Sequence, residues 1–315
     1  MSIVKRLAGA LARQALWRTG TAARHLRAVS GRWVMMVHGV GDGEISRDAF
    51  AVELAWLAAH FRIVRLQAMI DDLAAERAPA AGGEVAITFD DGLRNQALHA
   101  YPVLRELGIP ATIFVCPGLI DSGAWLWNHE ARARLQRLAQ EQRGALAERA
   151  GGSPHDSVRT MVERWKQLPA SARRELQDEL RRVTPDFEPT ASERGSCDLM
   201  SWDEIAALDP ELITIGSHTV SHPILPGLDD AELEFEIRAS REMLERRLAR
   251  PVELFCFPNG ASDARAQRIV ARTYRGAVTT RKGAVPVKVD PMAIPRVAME
   301  ASCSRLAWRM MRLAT

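Results

Sequence analysis

The stretch Val85–Gly92, VAITFDDG, decides the fold prediction because an uninterrupted apolar run ends there at two adjacent carboxylates. Apolar and β-branched residues without polar alternation are typical of a strand buried on both faces of a parallel sheet. Asp90 and Asp91 follow that strand directly, at the end where α/β folds place their functional groups. Taken alone, the Asp-Gly step favours an ordinary turn, so a site at this position requires further evidence.

Short apolar runs alternate with amphipathic stretches on both sides of this strand. Helical spacing predicts helices over 48–60, 95–107 and 230–250, and Ser201 with Glu204 predicts a capping box at the start of a further helix. The predicted strands are 33–37, 63–66, 85–89, 111–116, 212–215, 253–257, 276–280 and 293–297. Strands that alternate with helices indicate parallel strands joined by crossover helices. The predicted fold class is therefore α/β, a (β/α) barrel, with a doubly wound open sheet as the alternative.

Differences in composition along the 315 residues predict how the chain is organised. Residues 33–300 carry the strand–helix rhythm and form the predicted barrel domain. The stretch from about 124 to 195 departs from that rhythm, since it is polar and rich in Arg, Glu and Gln. It predicts a helical insertion beside the barrel mouth, while residues 301–315 predict a C-terminal helical tail and residues 1–32 a separate N-terminal segment.

The N-terminal segment contains seven basic residues and no acidic residue, and the remainder of the chain is mildly acidic. Arg13 and Arg18 interrupt every apolar run there, so neither a secretory signal nor a transmembrane helix is predicted. Apolar side chains recur at helical spacing, at Ile3, Val4, Leu7, Leu11, Ala15 and Leu16. This pattern fits a helix lying on an anionic membrane surface, and a helix packed on the domain is the alternative. The prediction is a cytoplasmic protein, peripheral on the inner membrane surface.

The composition also excludes several classes of protein. With 47% hydrophobic and 26% charged residues, the chain is neither largely disordered nor collagenous. Its basic residues concentrate in one short segment, so nucleic-acid binding is not predicted. Its cysteines lie too far apart for a zinc ribbon and give no sign of a disulfide scaffold. They are Cys116, Cys197, Cys256 and Cys303.

The segment Gly216–Pro223, GSHTVSHP, follows another predicted strand and carries histidines at 218 and 222. Two histidines four residues apart can converge on one metal ion, although such a pair alone is weak evidence. The H-E-x-x-H motif of zinc proteases is absent, because Thr219 follows His218. Together with the adjacent carboxylates, however, the pair predicts a site of one carboxylate and two imidazoles, which leaves the second carboxylate as a base.

A third segment, Phe255–Gly260, FCFPNG, also ends a predicted strand. Its Pro and Gly fix a turn that could direct a backbone N–H into the site. A plain strand-to-loop turn is an equally good interpretation of these residues.

The order of these three motifs closely resembles the polysaccharide deacetylase family, the NodB-homology domain of carbohydrate esterase family 4. The resemblance spans roughly residues 33–297 and implies an incomplete or distorted barrel with parallel strands. It implies that Asp90 is the general base and that the metal ligands are Asp91, His218 and His222. It also implies that the backbone N–H of Asn259, after Pro258, stands at the oxyanion position.

Three further segments resemble bacterial exopolysaccharide deacetylases in particular: MMVHGV at 35–40, LMSW at 199–202 and IPRV at 294–297. His38 and Arg296 in these segments are candidates for the substrate cleft or for the catalytic acid. Two departures from the family pattern accompany the likeness. Cys256 occupies the position of an arginine that orients the base in many members, and no histidine follows His222 to protonate the leaving amine.

The resemblance implies a hydrolase of linear amides that removes N-acetyl groups from an acetylated polysaccharide or glycan intermediate by means of metal-activated water. The predicted location at the inner membrane surface adds a lipid-linked glycan as an expected substrate. Zn²⁺ is the expected ion, with Co²⁺, Ni²⁺ or Mn²⁺ as alternatives. An O-acetyl esterase is a second possibility, since an alkoxide leaves more readily than an amine anion and needs no late histidine. A non-catalytic glycan-binding relic is a third, against which the presence of all four predicted site residues argues.

Overall fold

Parallel strands form the centre of the computed structural model, which describes residues 3–41 and 45–314 and the side chains from residue 9 onward. The strands of the described chain are β1 (Arg32–Val37), β2 (Arg62–Ile63), β3 (Glu84–Phe89), β4 (Ala111–Val115), β5 (Ile213–Ser217), β6 (Leu254–Cys256), β7 (Gly276–Lys282) and β8 (Ile294–Ala298). They lie in the order β1-β8-β7-β6-β5-β4-β3, and β1 also pairs with β3, so these seven close into a barrel. The short β2 lies beside the start of β3. The predicted barrel is therefore confirmed, and the alternative of a doubly wound open sheet is excluded.

Helices surround the barrel and also form the insertion. The first six are α1 (Ile3–Arg18), α2 (Thr21–Val29), α3 (Arg47–His60), α4 (Leu66–Ala74), α5 (Tyr101–Leu107) and α6 (Pro117–Ser122). The insertion contributes α7 (Trp127–Arg137), α8 (Gln140–Arg149), α9 (Val158–Trp165), α10 (Ala170–Val183) and α11 (Ala191–Cys197). The remainder are α12 (Trp202–Ala206), α13 (Asp230–Glu234), α14 (Ser240–Leu248), α15 (Ala264–Thr273) and α16 (Cys303–Leu313). Single π-helical turns, Gln96–Ala100 and Phe235–Ala239, precede α5 and α14.

Local sequence explains most of these boundaries. All six residues of β3 are buried, as the apolar run predicts. The predicted capping box is present, because the Ser201 hydroxyl accepts from the Glu204 N–H and the Glu204 carboxylate accepts from the Ser201 N–H. The strand predicted over 63–66 is wrong beyond Ile63, since Leu66 begins α4. Buried residues of α4 recur at helical spacing, at Leu66, Met69, Ile70 and Leu73, and so favour a helix.

The insertion has a hydrophobic core of its own. Its cluster of buried side chains includes Trp127, Leu135, Trp165, Leu176 and Leu180, and it is separate from the clusters inside and around the barrel. Helices α7–α11 enter after α6, which follows β4, and lead through α12 into β5. The insertion begins after the carboxyl end of β4, and the residues that follow α11 lie beside the carboxyl end of β3, because the Arg94 N–H donates to the Asp198 carbonyl and the Met200 N–H donates to the Gly92 carbonyl. Both ends therefore lie on the side of the barrel that carries the predicted site residues.

The terminal helices pack against each other, since α16 contacts both α1 and α2. Ala22 and Leu26 of α2 are buried, so this helix packs on the domain and does not offer its apolar face to a membrane. Leu11 of α1 is 72% exposed, whereas the side chains of residues 1–8, which include part of the predicted apolar stripe, lie outside the described residues. Among the helices that the structure describes, none is long and apolar enough to cross a membrane.

Candidate metal centre

The ends of β3 and β5 bring three predicted ligands together. Asp91 lies just beyond β3, and His218 and His222 lie beyond β5. The Nε2 atoms of both histidines lie 3.5 Å from Asp91 Oδ1, and all three side chains are buried. The two segments are 127 residues apart in sequence and meet only because β4 joins β3 to β5 in one parallel sheet.

The backbone around these ligands is unusual. Asp91, Thr219 and His222 have positive φ angles of 73°, 68° and 59°, in the left-handed region that non-glycine residues seldom adopt. The loop is held by hydrogen bonds: Glu236 accepts from the Ser221 N–H at 2.9 Å and from its hydroxyl at 2.5 Å. The Thr219 hydroxyl accepts from the His222 N–H at 3.0 Å. The π turn Phe235–Ala239 therefore holds the loop in place through Glu236.

The ligand atoms have the chemistry that a divalent ion requires. His218 Nδ1 donates to the Cys256 carbonyl at 2.6 Å, which leaves Nε2, the ring nitrogen on the Asp91 side, to bind an ion once it has lost its proton. Burial, together with the neighbouring His218 ring, lowers the pKa of His222 to about 3, which keeps this ring neutral as a ligand must be. Burial alone would raise the pKa of Asp91, but the effects that oppose burial, of which its hydrogen bond with His218 is the largest, together lower it below its usual range. One carboxylate and two imidazoles match a zinc-type site with open positions.

A second grouping of possible ligands, Asp90, His218 and Cys256, overlaps the first. Its geometry fits a metal less well, since Arg296 already binds both carboxylate oxygens of Asp90, at 2.6 and 2.7 Å. Burial also raises the pKa of the Cys256 thiol, and a protonated thiol is a poor ligand. The grouping of Asp91 with both histidines is therefore the better candidate for the ion.

The two adjacent carboxylates have different partners: Asp90 pairs with Arg296, whereas Asp91 lies against the two histidines. Burial would raise the pKa of Asp90, but the Arg296 guanidinium outweighs this effect and lowers it to about 2. Arg296 is 1% exposed and also donates to the Thr279 carbonyl. Its own pKa is raised by Asp90 despite the opposing effect of burial, so it retains its proton. Arg296, a candidate for the cleft or the acid on sequence grounds, instead lies behind Asp90 as its counter-ion.

Arg296 also supplies the positive charge that the family resemblance expects from an arginine at position 256. Arg296 Nη2 lies 3.3 Å from Cys256 Sγ, and this sulfur lies 3.5 Å from Asp90 Oδ1. The thiol thus occupies the position where the family resemblance expects an arginine, while a guanidinium from β8 reaches the same carboxylate. An orienting cation is therefore present, supplied by a different strand.

His38 lies at the end of β1, next to Asp90. Its Nε2 is 3.9 Å from Asp90 Oδ2, and its side chain is 35% exposed, so it faces both the site and solvent. Gln96 was not singled out in the sequence, yet its Nε2 donates to the carbonyls of both His38 and Asp90, at 2.6 Å each. The sequence shows only that an amide side chain stands in the helical segment directly after the Asp pair, and this does not identify its role. Glu236 was missed in the same way, and no local pattern marks it.

The loop of Pro258 and Asn259 lies at the end of β6. Residues Pro258–Gly260 form a 3₁₀ turn in which Asn259 has a φ of 54°, and the Thr280 hydroxyl donates to its carbonyl at 3.2 Å. A Cβ at Gly260 would lie 2.0 Å from Thr280 Oγ1, so only glycine fits there. Asn259 also lines a cavity of about 530 Å³, whose opposite wall includes Lys166 and Leu168 of the insertion.

A family model for polysaccharide deacetylases matches residues 77–275, well over half of the chain. This chain belongs to the polysaccharide deacetylase family. The matched span contains Asp90, the three metal-ligand candidates and Asn259, whereas His38 and Arg296 lie outside it.

Solved deacetylase structures share the fold. PplD of Streptococcus pyogenes, solved in complex with acetate, is 16% identical with a TM-score of 0.61, covering 89% of this chain and 98% of its own. IcaB of Ammonifex degensii is 20% identical with a TM-score of 0.58, covering 89% and 97%. The deacetylase domain of BpsB from Bordetella bronchiseptica is 15% identical with a TM-score of 0.53, covering 86% and 97%. Comparison with the curated proteins finds no match.

Proposed function

We propose that this deacetylase-family protein hydrolyses N-acetyl groups on a polysaccharide or lipid-linked glycan. In this proposal, Asp91, His218 and His222 hold a divalent ion, expected to be Zn²⁺. The observation that carries the proposal is the convergence of these three side chains beside a second, separately held carboxylate, Asp90. A bound ion would supply Lewis-acid chemistry, which lowers the pKa of water and polarises a carbonyl.

Asp90 is the proposed general base. Its pKa of about 2 keeps the carboxylate ionised at neutral pH, and the bidentate contact with Arg296 fixes its orientation. Oδ1 accepts from both Arg296 and the Cys256 thiol, whereas Oδ2 is engaged by one Arg296 hydrogen bond and so keeps its second acceptor position for a water proton. The positive counter-charge of Arg296 also allows Asp90 and Asp91 to be ionised side by side. In the proposal the Asn259 N–H stabilises the developing oxyanion, which is the role that the family resemblance implies for it.

His38 is the proposed acid that protonates the leaving amine. It is exposed enough to reach substrate and lies next to Asp90, so a proton could pass between base and acid over a short distance. The hydrogen bond from Gln96 to its backbone carbonyl fixes the end of β1 that carries it. An O-acetyl esterase is the second candidate, favoured by the absence of any histidine after His222, since an alkoxide needs less help to leave.

One experiment separates these candidates: acetate release from matched N-acetylated and O-acetylated oligosaccharides, with and without chelator, by wild type and His38→Gln. An amidase should release acetate from the amide, and His38→Gln should slow that reaction by about 10²-fold or more, the usual worth of a positioned acid. The exposed His155→Gln serves as the control. Acetate release from the ester alone would support the esterase, and chelator-resistant release would contradict the metal assignment.

Peripheral contact with an anionic membrane is a further element of the proposal. Arg13 of α1 lines a cavity of about 500 Å³ together with Lys282, Arg305, Trp308 and Arg312, and with Arg309, which pairs with Glu300. Basic side chains around an aromatic residue, with Leu11 exposed nearby in sequence, suit a surface rich in anionic lipid. Vesicles containing phosphatidylserine should sediment the protein, phosphatidylcholine vesicles should not, and Arg13→Gln should weaken sedimentation. Recovery of the cellular protein in the periplasm would contradict a cytoplasmic location.

A further inference from the structure

A cavity of about 310 Å³ separates the insertion from the loop that carries His222. Ser221 and Pro223, which flank that histidine, form part of one wall. The side chains that the insertion supplies include Trp125, Trp127 and Arg173, with Arg174, Asp178 and Arg181 beside them. The cavity is therefore adjacent to the candidate metal centre through the backbone of a single loop. A glycan bound there would extend directly from the reacting sugar.

Arg173 has an unusual environment for a buried cation. Three arginines of the described chain are buried, and two of them have carboxylate partners: Arg32 binds Glu84 at 2.8 Å and Arg296 binds Asp90. Arg173 is only 4% exposed, yet no described carboxylate lies within 4 Å of its guanidinium. Burial of an unpaired charge is costly, so a positively charged side chain in this position calls for an anion.

The contacts that Arg173 does make leave most of its donors unused. Its Nη1 donates to the Leu168 carbonyl at 3.3 Å, and its guanidinium lies 5.3 Å from the centre of the Trp127 ring. Its Nε and Nη2 have no acceptor among the described residues. The indole N–H of Trp127 is likewise buried without a described acceptor. Two neighbouring side chains on one cavity wall therefore offer donors that the protein does not satisfy.

The other cations of this wall are neutralised within the protein. Arg174 pairs with Glu232 at 3.0 Å, and Arg181 pairs with Glu130 at 2.7 Å and with Asp178 at 3.3 Å. Burial and the neighbouring Arg174 together lower the pKa of Arg173 from its ordinary value, which is consistent with an uncompensated charge. Arg173 is thus the cation of this wall that has no carboxylate partner among the described residues.

We propose that this cavity binds an acidic group of the glycan substrate, a sugar carboxylate or a phosphate, through the Arg173 guanidinium, with the aromatic face of the half-buried Trp125 against the sugar ring. The inference rests on the proposed deacetylase function and narrows it to an anionic glycan. Planar guanidinium groups bind carboxylate and phosphate through two parallel hydrogen bonds, and aromatic rings provide flat apolar surfaces for sugars.

The first test measures binding without turnover. Glucuronate, glucose 6-phosphate and uncharged glucose are titrated calorimetrically into wild type and Arg173→Met. At least one anion should bind more tightly than glucose, and Arg173→Met should weaken it by about 10-fold or more, because a charge-assisted hydrogen bond is lost. The two anions distinguish carboxylate from phosphate. Equal binding of glucose and both anions, or no binding of any of the three, would overturn the inference.

Arg182→Met provides the matched control, because Arg182 lies on the same helix with 73% of its side chain exposed, and it should bind as wild type does. Should Arg173→Met fail to fold, Arg173→Lys keeps the charge but loses the planar fork, and it should weaken anion binding by a smaller factor. A purely structural arginine would lower the melting temperature in these variants without changing the preference for anions.

The second test links the cavity to catalysis. Acetate release is compared for an oligosaccharide of alternating N-acetylglucosamine and glucuronate and for the same oligosaccharide with its carboxylates reduced to alcohols. Wild type should favour the acidic form about 10-fold in kcat/KM, and this ratio should fall toward one in Arg173→Met. Equal rates on both forms would contradict the inference and leave the deacetylase function intact. Failure to hydrolyse either form, with anion binding still dependent on Arg173, would count against the deacetylase function alone.

Discussion

The barrel mouth and the helical insertion each bury an arginine beside the candidate substrate site, and they differ in how the charge is neutralised. At the mouth, Arg296 lies against Asp90 with both carboxylate oxygens engaged. In the insertion, Arg173 faces a cavity with a carbonyl and an aromatic ring but no described carboxylate. The comparison shows two uses of a buried charge. A buried arginine that is paired fixes the geometry of a reacting group, whereas a buried arginine that is unpaired indicates where a ligand binds.

The largest expected effect concerns the mouth itself. Asp91→Ala removes the only carboxylate of the proposed ligand set, so bound metal and acetate release should both fall to background. Metal content by mass spectrometry and acetate release are the measurements, and excess Zn²⁺ should restore part of both. A variant that retains one equivalent of metal would show that Asp91 is not a ligand.

The neighbouring carboxylate should behave differently. Asp90→Asn keeps the ligand set intact, so metal content should stay at the wild-type level while the rate falls roughly 10²–10⁴-fold, as expected for loss of a general base. The comparison with Asp91→Ala is the control, since only one of the two variants should lose metal. Near wild-type hydrolysis by Asp90→Asn would refute the assignment of the base.

The two buried arginines themselves provide the next test. Arg296→Met leaves Asp90 buried without its partner, so it should reduce the free energy of unfolding by about 3–5 kcal/mol. Arg173→Met removes an unpaired cation and should leave that free energy unchanged or higher. Denaturant unfolding of both variants measures the difference. Equal destabilisation would mean that the insertion arginine is structural, and restoration of stability in Arg296→Met with Asp90→Asn would confirm the source of the first effect.

Ionisation of Glu53 in α3 should have a smaller effect on the free energy of unfolding, and this effect depends on pH. Burial raises its pKa to about 7, although the Ser302 N–H donates to it at 2.9 Å and opposes that rise. The folded protein therefore holds this proton more tightly than the unfolded chain does. The corresponding stability is complete below about pH 4.5 and is lost as the pH rises through about 7.

Unfolding by urea at several pH values between 4 and 8 measures this contribution. Glu53→Gln, which is always neutral, should remove up to about 3 kcal/mol of the decline in the free energy of unfolding over that interval. The exposed Glu242→Gln should leave the decline unchanged. A pH profile of Glu53→Gln identical to that of wild type would show that Glu53 titrates alike in the folded and unfolded protein.

The smallest effect on the barrel is expected from removal of the insertion. Because α7–α11 have their own hydrophobic cluster, replacement of residues 125–194 by a short linker should leave a folded protein that binds one equivalent of metal. Any preference for anionic glycans should disappear with the cavity. Circular dichroism and metal analysis test the first point, and global unfolding of the shortened protein would show that the barrel depends on the insertion.

Much of the mouth could be predicted because its motifs are local. An apolar run that ends in Asp90 and Asp91, or in His218 and His222, identifies a buried strand and its polar end from adjacent residues alone. The parallel alternation of strands and helices then places both ends on one face of the barrel. The family resemblance added roles for these residues but could not show which strand supplies the orienting cation.

The pairing of Arg296 with Asp90 could not be predicted, because 206 residues separate them and the sequence around either residue does not indicate its partner. The same holds for Gln96, whose side chain ties two strand ends together only in the closed barrel. The cavity of the insertion was equally hidden, since Arg173 looks in sequence like any polar residue of an amphipathic helix. Its burial depends on how α10 packs on α7, which helical spacing alone does not determine.

Several residues of the metal centre have left-handed backbone conformations, and these conformations link the function of the site to the thermal stability of the protein. Asp91, Thr219, His222 and Asn259 each hold a backbone conformation that costs a non-glycine residue on the order of 1 kcal/mol. Glycine at position 91 or 222 would relieve that cost while deleting a ligand, and glycine at position 219 would delete the hydroxyl that holds the loop. A laboratory evolution experiment that selects only for survival at high temperature should therefore erode this centre first. Selection for activity has to be applied at every round to retain it.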